Sequence, residues 1–350
     1  MRRKLAPGNF EVIASRLEIP WSLDFAPDGR LFFTERVGRL STIFNGKIKP
    51  LLQLDVEAQP GDEGGLLGLA VDPDFVHTHL IYVYYTYRDE EEDKIWNRIS
   101  CFVEAAGKLA AEKVIFDKIP AGRVHNGGRI KFGPDGKLYV TAGENWKREL
   151  AQRLDFLGGK ILRMNRDGSI PSDNPFSGSP VYCYGNRNAQ GLTWHPVTGK
   201  LFATEHGPSG ENGWYAHDKI NIIESGKNYG WPYVIGYGKN PQYTDPIFST
   251  EEITWAPSGA TFYNGTRYPG WDKALFIACL RGVQLRAITL NPPSYVDIES
   301  NVALFEGELG RLRDVVQGPD DYLYLCTSNR DGRGEPDKDD DLIIRIKSIP

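Results

Sequence analysis

Short runs of apolar or strictly alternating residues follow one another along the chain, and nearly all are preceded by a turn rich in Pro, Asp or Gly. One phrase, such a turn leading into a strand-like run, occurs six times. The copies are Pro27-Asp28-Gly29-Arg30 before LFFTE, Asp72-Pro73-Asp74-Phe75 before LIYVYYTY, and Pro134-Asp135-Gly136-Lys137 before LYVTAGE. The others are Pro196-Val197-Thr198-Gly199-Lys200 before LFATEHG, Pro269-Gly270-Trp271-Asp272-Lys273 before ALFIACL, and Gly318-Pro319-Asp320-Asp321 before YLYLCTS. They start 45 to 73 residues apart, room for a four-stranded antiparallel blade with its loops. Six units predict an all-β, six-bladed β-propeller of four-stranded antiparallel blades, a single domain over residues 1–350. Phe10 to Leu17 and Asp341 to Ile349 read as strands. Pairing them in one blade would close the ring and leave no open edge. Arg148 to Phe156 reads as a short helix. An open sandwich or two β domains is the competing architecture, but no linker-like break divides the chain.

Composition narrows the function classes. The chain has 350 residues, 40% hydrophobic and 25% charged, enough for a substantial core. Net charge is −5 with no long basic run, which argues against nucleic acid as the partner. No apolar stretch reaches about 18 residues, so no membrane span is expected. The basic start, MRRKLAPGNF, leads into no apolar segment of signal-peptide type, which leaves a cytoplasmic location open. Cys101, Cys183, Cys279 and Cys326 form no CxxC and read as buried free thiols, with a disulfide as the alternative. The acidic run Asp337 to Asp341 reads as solvated surface charge. HExxH, Walker, dinucleotide-binding glycine and GxSxG motifs are all missing from the sequence, which disfavours zinc peptidase, NTPase, Rossmann and α/β-hydrolase chemistry.

The chemistry concentrates in GRVHNGGRIKFGPDGKLYVTAGE, residues 122–144. His125 is the side chain best suited to take a proton near neutral pH. Gly127 and Gly128 allow a flat ligand close to the backbone. Glu144, beyond the next strand, can fix the tautomer of a histidine it faces. A histidine capping a turn is the bland alternative. Arg187-Asn188, just before a strand, can bind a ligand or close a loop. Arg311 and Arg313 alternate and so share a strand face, suited to clamping carboxylates or to pairing with acidic neighbours such as Asp314. Glu205-His206-Gly207-Pro208 ends a strand in a loop whose carbonyls are hard oxygen donors suited to calcium.

The phrases PWSLDFAPDGRLFFTER, GGLLGLAVDPDF, HNGGRIKFGPDGKLYVTAGE, GNRNAQGL, TEHGP, KNYGWP, WAPSGATFY, LRGVQLR and RLRDV occur in this order over nearly the whole chain. As an ordered set they resemble the soluble quinoprotein glucose dehydrogenases and, more closely, the aldose sugar dehydrogenases that use pyrroloquinoline quinone (PQQ). The resemblance implies a six-bladed propeller that oxidises an aldose at C1 to the lactone with PQQ and calcium, and passes the electrons to an external acceptor. It implies a periplasmic or extracellular location.

By the same resemblance His125 is the general base and Glu144 its support. Glu63, Arg187, Asn188, Thr254, Arg281, Arg311 and Arg313 fall at cofactor-contact positions. The carbonyls of Gly207 and Pro208 are the implied calcium ligands. The chain departs from the pattern at three places. Glu63 stands where the glucose enzymes have glutamine, and a carboxylate beside an anionic cofactor must be protonated, paired or turned away. Leu280 replaces a lysine, with Arg281 beside it. Lys219 stands where relatives carry an acidic residue, so a second calcium involving Asp218 or Tyr229 is not expected. The competing functions are a calcium-dependent lactonase on the same fold and a non-catalytic propeller that binds a protein or glycan.

Overall fold

The computed structural model describes residues 8–349. Twenty-four strands form six four-stranded antiparallel sheets. The first strands of the blades are Pro20–Phe25, Leu66–Val71, Ile130–Phe132, Asn188–Trp194, Pro257–Phe262 and Leu312–Gln317. Each packs against the first strand of the next blade, and Leu312–Gln317 packs against Pro20–Phe25 to close the circle. These strands therefore surround the central axis of a six-bladed propeller.

The six repeated phrases have one structural meaning. Each turn leads from a first strand into the second strand of its blade: Leu31–Glu35, Leu80–Asp89, Leu138–Ala142, Leu201–His206, Leu275–Cys279 and Leu323–Thr327. The turn chemistry explains the spelling. In the first copy the Arg30 N–H donates to Asp28 Oδ1 at 3.0 Å, and in the third the Lys137 N–H donates to Asp135 Oδ1 at 3.1 Å. Gly29 and Gly136 adopt φ of 86° and 71°, a region that glycine enters without steric cost. The second strands bury nearly every residue because blades pack on both faces. The four cysteines are free and buried.

Ring closure follows the expected pairing with shorter strands. Phe10–Ala14 runs antiparallel to Ile343–Ile346 as the outer strand of the last blade, with Phe10 opposite Ile346. The helix expected over Arg148 to Phe156 is a 3₁₀ turn over Arg148–Gln152. The acidic run is not uniformly solvated. Asp340 and Asp341 are buried. Asp341 accepts hydrogen bonds from the N–H groups of Asn329 and Arg330 and from the Thr327 hydroxyl. Those donors are orphans of the loop that follows the second strand, and a carboxylate is the acceptor that satisfies several at once.

A polar belt ties the blades together inside the ring. Arg129 is buried, with Nη1 2.8 Å from Asp314 Oδ2 and 2.9 Å from Ser22 Oγ, and Nε 2.9 Å from the Gln190 carbonyl. Its guanidinium lies 4.3 Å from the Trp21 ring. Arg129 thus joins blades distant in sequence. The Asp314 foreseen as a partner of Arg311 or Arg313 is instead committed to Arg129.

Candidate active site

Loops from several blades converge on a cavity of about 620 Å³. His125, Arg187, His206, Gly207, Thr254, Arg281, Arg311 and Arg313 reach it, as do Glu63, Trp146, Gln190, Asp218 and Arg333. Glu144, Asn188 and Pro208 are not part of its wall.

His125 precedes the first strand of the third blade and has φ of 57°. A non-glycine residue there needs support from outside. The Glu63 carboxylate provides it, accepting the His125 N–H at 2.9 Å. Glu144 follows the second strand of the same blade and is fully buried behind the imidazole. His125 Nδ1 lies 2.6 Å from Glu144 Oε1. Facing a carboxylate, Nδ1 carries the proton and Nε2 is left as the accepting nitrogen. This geometry removes the turn-capping alternative for His125: the ring is held from behind and opens onto the cavity. Trp146 covers it on one side, with ring centroids 5.0 Å apart and a tilt of 32°.

The arginines differ in how much charge they leave unmatched. Arg187 pairs with Glu211, at 3.0 Å from Nε, and Arg311 pairs with Asp331 at 3.0 Å from Nε and 2.7 Å from Nη2. Arg333 pairs with Glu63 at 2.8 Å. Arg313 donates to the neutral Gln190 Oε1 at 2.8 Å and has Asp331 only at 3.8 Å. Its buried Nε has no hydrogen-bond partner. Burial lowers its pKa to about 10, which leaves it protonated at neutral pH. Arg281 is exposed and makes no recorded ion pair among the described residues. Unmatched positive charge therefore resides mainly on Arg313 and Arg281. Arg311 lies just before its strand, and a register irregularity separates Leu312 from Asp314. Both arginines reach the cavity, Arg311 from the loop and Arg313 from the start of the strand.

On the opposite wall, Asp218 organises two loops. Its Oδ1 accepts the Gly207 N–H at 2.8 Å. Its Oδ2 accepts from Trp255 N, Ala256 N and Thr254 Oγ1 at 2.6, 2.9 and 3.1 Å. Burial raises the Asp218 pKa against the opposing effect of these donors. Both oxygens are thus engaged by protein. Lys219 lies 3.5 Å from the buried Glu205 carboxylate. Gly207 leaves no space for a side chain, because a Cβ would lie 1.8 Å from the Ala216 carbonyl oxygen. The Gly207 and Pro208 carbonyls accept no recorded backbone hydrogen bond among the described residues. Pro208 borders a small adjoining pocket rather than the main cavity. His206, between the two features, is kept neutral by burial, its pKa pushed down to about 3.

Asn188 is buried, and its Nδ2 has no hydrogen-bond partner among the described residues. Its Oδ1 accepts the Gly127 N–H at 3.0 Å, which holds the glycines after His125. Trp146, Gln190, Asp218 and Arg333 also line the wall, and the sequence assigns them no cofactor contact. Gln190 was inside the GNRNAQGL phrase. Arg333 stands between Gly332 and Gly334, and the sequence carries no other signal for it.

The site fits a planar polyanion. It offers guanidinium groups with charge to spare, a buried unpartnered donor on Arg313, and a neutral proton acceptor at one side. Groups of three or more His, Cys, Asp or Glu side chains able to hold a metal are absent among the described residues.

Comparisons with known proteins identify the family. The glucose/sorbosone dehydrogenase family model matches residues 17–344. An aldose sugar dehydrogenase of Escherichia coli K12 is 34% identical over 93% of this chain and 91% of that protein. Quinoprotein glucose dehydrogenase B of Acinetobacter calcoaceticus is 30% identical over 98% of this chain and 90% of that protein. The PQQ-bound aldose sugar dehydrogenase of Streptomyces coelicolor superposes with a TM-score of 0.84 at 37% identity, covering 96% of each chain. The chain belongs to the glucose/sorbosone dehydrogenase family.

Proposed function

We propose that this protein oxidises aldoses at C1 to the lactone with PQQ and calcium, and hands the electrons to an external acceptor. The observation that carries the reading is the pairing, in one cavity, of the Glu144-backed His125 with the unmatched Arg313 and Arg281. Bound PQQ supplies the acceptor for a hydride, the chemistry that the protein's own side chains lack.

His125 Nε2 takes the proton of the anomeric hydroxyl as hydride leaves C1, so that the C1–O bond becomes the lactone carbonyl. An imidazole whose Nδ1 faces the Glu144 carboxylate presents Nε2 as the proton acceptor. Glu144 keeps the accepting nitrogen turned to the cavity and stabilises the imidazolium that forms. Arg311, Arg313, Arg187 and Thr254 would hold the cofactor, with Arg281 supplying charge beside Leu280. Asn188 would offer its unpartnered Nδ2 to the cofactor while its Oδ1 fixes Gly127. The Gly207 and Pro208 carbonyls would hold calcium, which needs further oxygen donors to complete its usual six to eight.

The paired arginines and the imidazole–carboxylate couple distinguish this reading from a lactonase or a binding propeller, neither of which requires both. The test is reconstitution of purified apoprotein with PQQ and calcium. Sugar-dependent dye reduction is expected, and chelation before reconstitution should suppress it. Activity with NAD and no quinone would overturn the assignment.

A further inference from the structure

Glu63 combines two features that conflict. It holds the backbone of the candidate base, and it places a carboxylate on the wall of a cavity suited to an anionic cofactor. The structure also shows how the conflict is resolved. Glu63 Oε2 takes the His125 N–H at 2.9 Å, while Oε1 takes Arg333 Nη1 at 2.8 Å. Arg333 comes from the loop after the second strand of the last blade, 270 positions away in the chain. Its backbone is tied down as well: the Arg333 N–H donates to Asp331 Oδ1 at 2.9 Å. Asp331 is the same carboxylate that grips Arg311. One short loop thus joins the candidate cofactor arginines, through Arg333 and Glu63, to the left-handed turn of His125.

We propose that Arg333 is a positioning residue that masks the charge of Glu63, so that Glu63 can support His125 without repelling an anionic cofactor. The inference rests on the proposed PQQ chemistry, and it concerns only residues of this chain. A glutamine would give the same backbone acceptor with no charge to mask. The Glu–Arg pair is a charged equivalent of one glutamine, and each half makes the other necessary. Arg333→Ala should therefore do harm not by the loss of a direct contact but by exposing the Glu63 carboxylate. Its side chain is 44% exposed, so screening moderates the effect.

The pair can be dissected by binding, without turnover. Apoprotein is titrated with PQQ in the presence of calcium, and intrinsic tryptophan fluorescence is recorded for wild type, Arg333→Ala, Glu63→Gln and the double variant. Arg333→Lys is added as a variant that keeps the charge, and thermal unfolding of each apoprotein verifies the fold. Arg333→Ala should weaken PQQ binding roughly tenfold, as expected when one partner of a partly buried charge pair is removed. Adding Glu63→Gln to it should restore affinity to within about threefold of Glu63→Gln alone, since a coupled pair is not additive. Arg333→Lys should stay near wild type. A double variant as weak as Arg333→Ala would show that Arg333 binds the cofactor directly, and the inference would fall. Equal binding by Arg333→Ala and wild type would also overturn it. If wild-type apoprotein itself did not bind PQQ, the cofactor assignment would fail first.

Discussion

Glu144→Gln changes one charge behind the imidazole and almost no volume. In the native protein Glu144 is fully buried, with Oε1 2.6 Å from His125 Nδ1 and Oε2 without a partner. A hydrogen bond to a charged group contributes about 1.5–3 kcal/mol, and one between neutral groups about 1 kcal/mol. The proton arriving at Nε2 turns the ring into an imidazolium, so the charged bond matters most in the transition state. Glutamine retains an acceptor for Nδ1–H but not the charge. The loss of about 0.5–2 kcal/mol corresponds to a rate reduced roughly 2- to 30-fold. That is well short of the roughly 10²–10⁴-fold expected when the base itself is removed. Stopped-flow reduction of the protein-bound quinone by a single addition of aldose isolates this step from dye reoxidation. An unchanged rate would remove Glu144 from the mechanism. A rate as slow as that of His125→Ala would mean that the carboxylate does more than support.

Arg311→Ala should lower the affinity for PQQ, measured by titration of apoprotein, while the relative rates with different aldoses in the loaded fraction stay unchanged. A changed sugar preference with intact cofactor affinity would contradict its role. Arg129→Met breaks the buried pair with Asp314, in which both side chains are 3% exposed or less, and should cost about 3–5 kcal/mol in urea unfolding. A loss below about 1 kcal/mol would mean that the polar belt does not hold the ring. Glu63 supplies a pH prediction. Burial would raise its pKa, but the nearby His125 and Arg333 outweigh this and hold it at about 2, against an ordinary 4.5. The native state then binds fewer protons than the unfolded chain between these values, so stability from Glu63 is complete above pH 4.5 and lost as pH falls towards 2. The stability difference between wild type and Glu63→Gln should change over that window and be constant above it; a flat difference down to pH 2 would refute the pairing.

The ring was legible because its repeat is written locally. Each Pro/Asp/Gly turn needs particular residues within four positions, and each precedes a second strand that must be apolar on both faces. Ring closure by Phe10–Ala14 followed from the same logic. His125 and Glu144 were also readable, since both sit in one hairpin of the third blade. Charge neutralisation was not readable in this way. Arg333 meets Glu63, Arg129 meets Asp314, and Asp341 turns inward only because blades distant in sequence come together. Alternation foresaw Arg311 and Arg313 on one face, and both reach the cavity. Pro208 lines the small adjoining pocket and not the main cavity, a placement that residue type alone does not give.

The central claim is that His125 removes the anomeric proton as hydride leaves C1. Single-turnover reduction of bound PQQ by an aldose carrying deuterium at C1, compared with the protium sugar, tests it in wild type and His125→Ala. The account predicts a primary isotope effect in wild type, and in His125→Ala a fully loaded protein whose reduction is slower by roughly 10²–10⁴-fold. Reduction of the His125→Ala protein at the wild-type rate would contradict it.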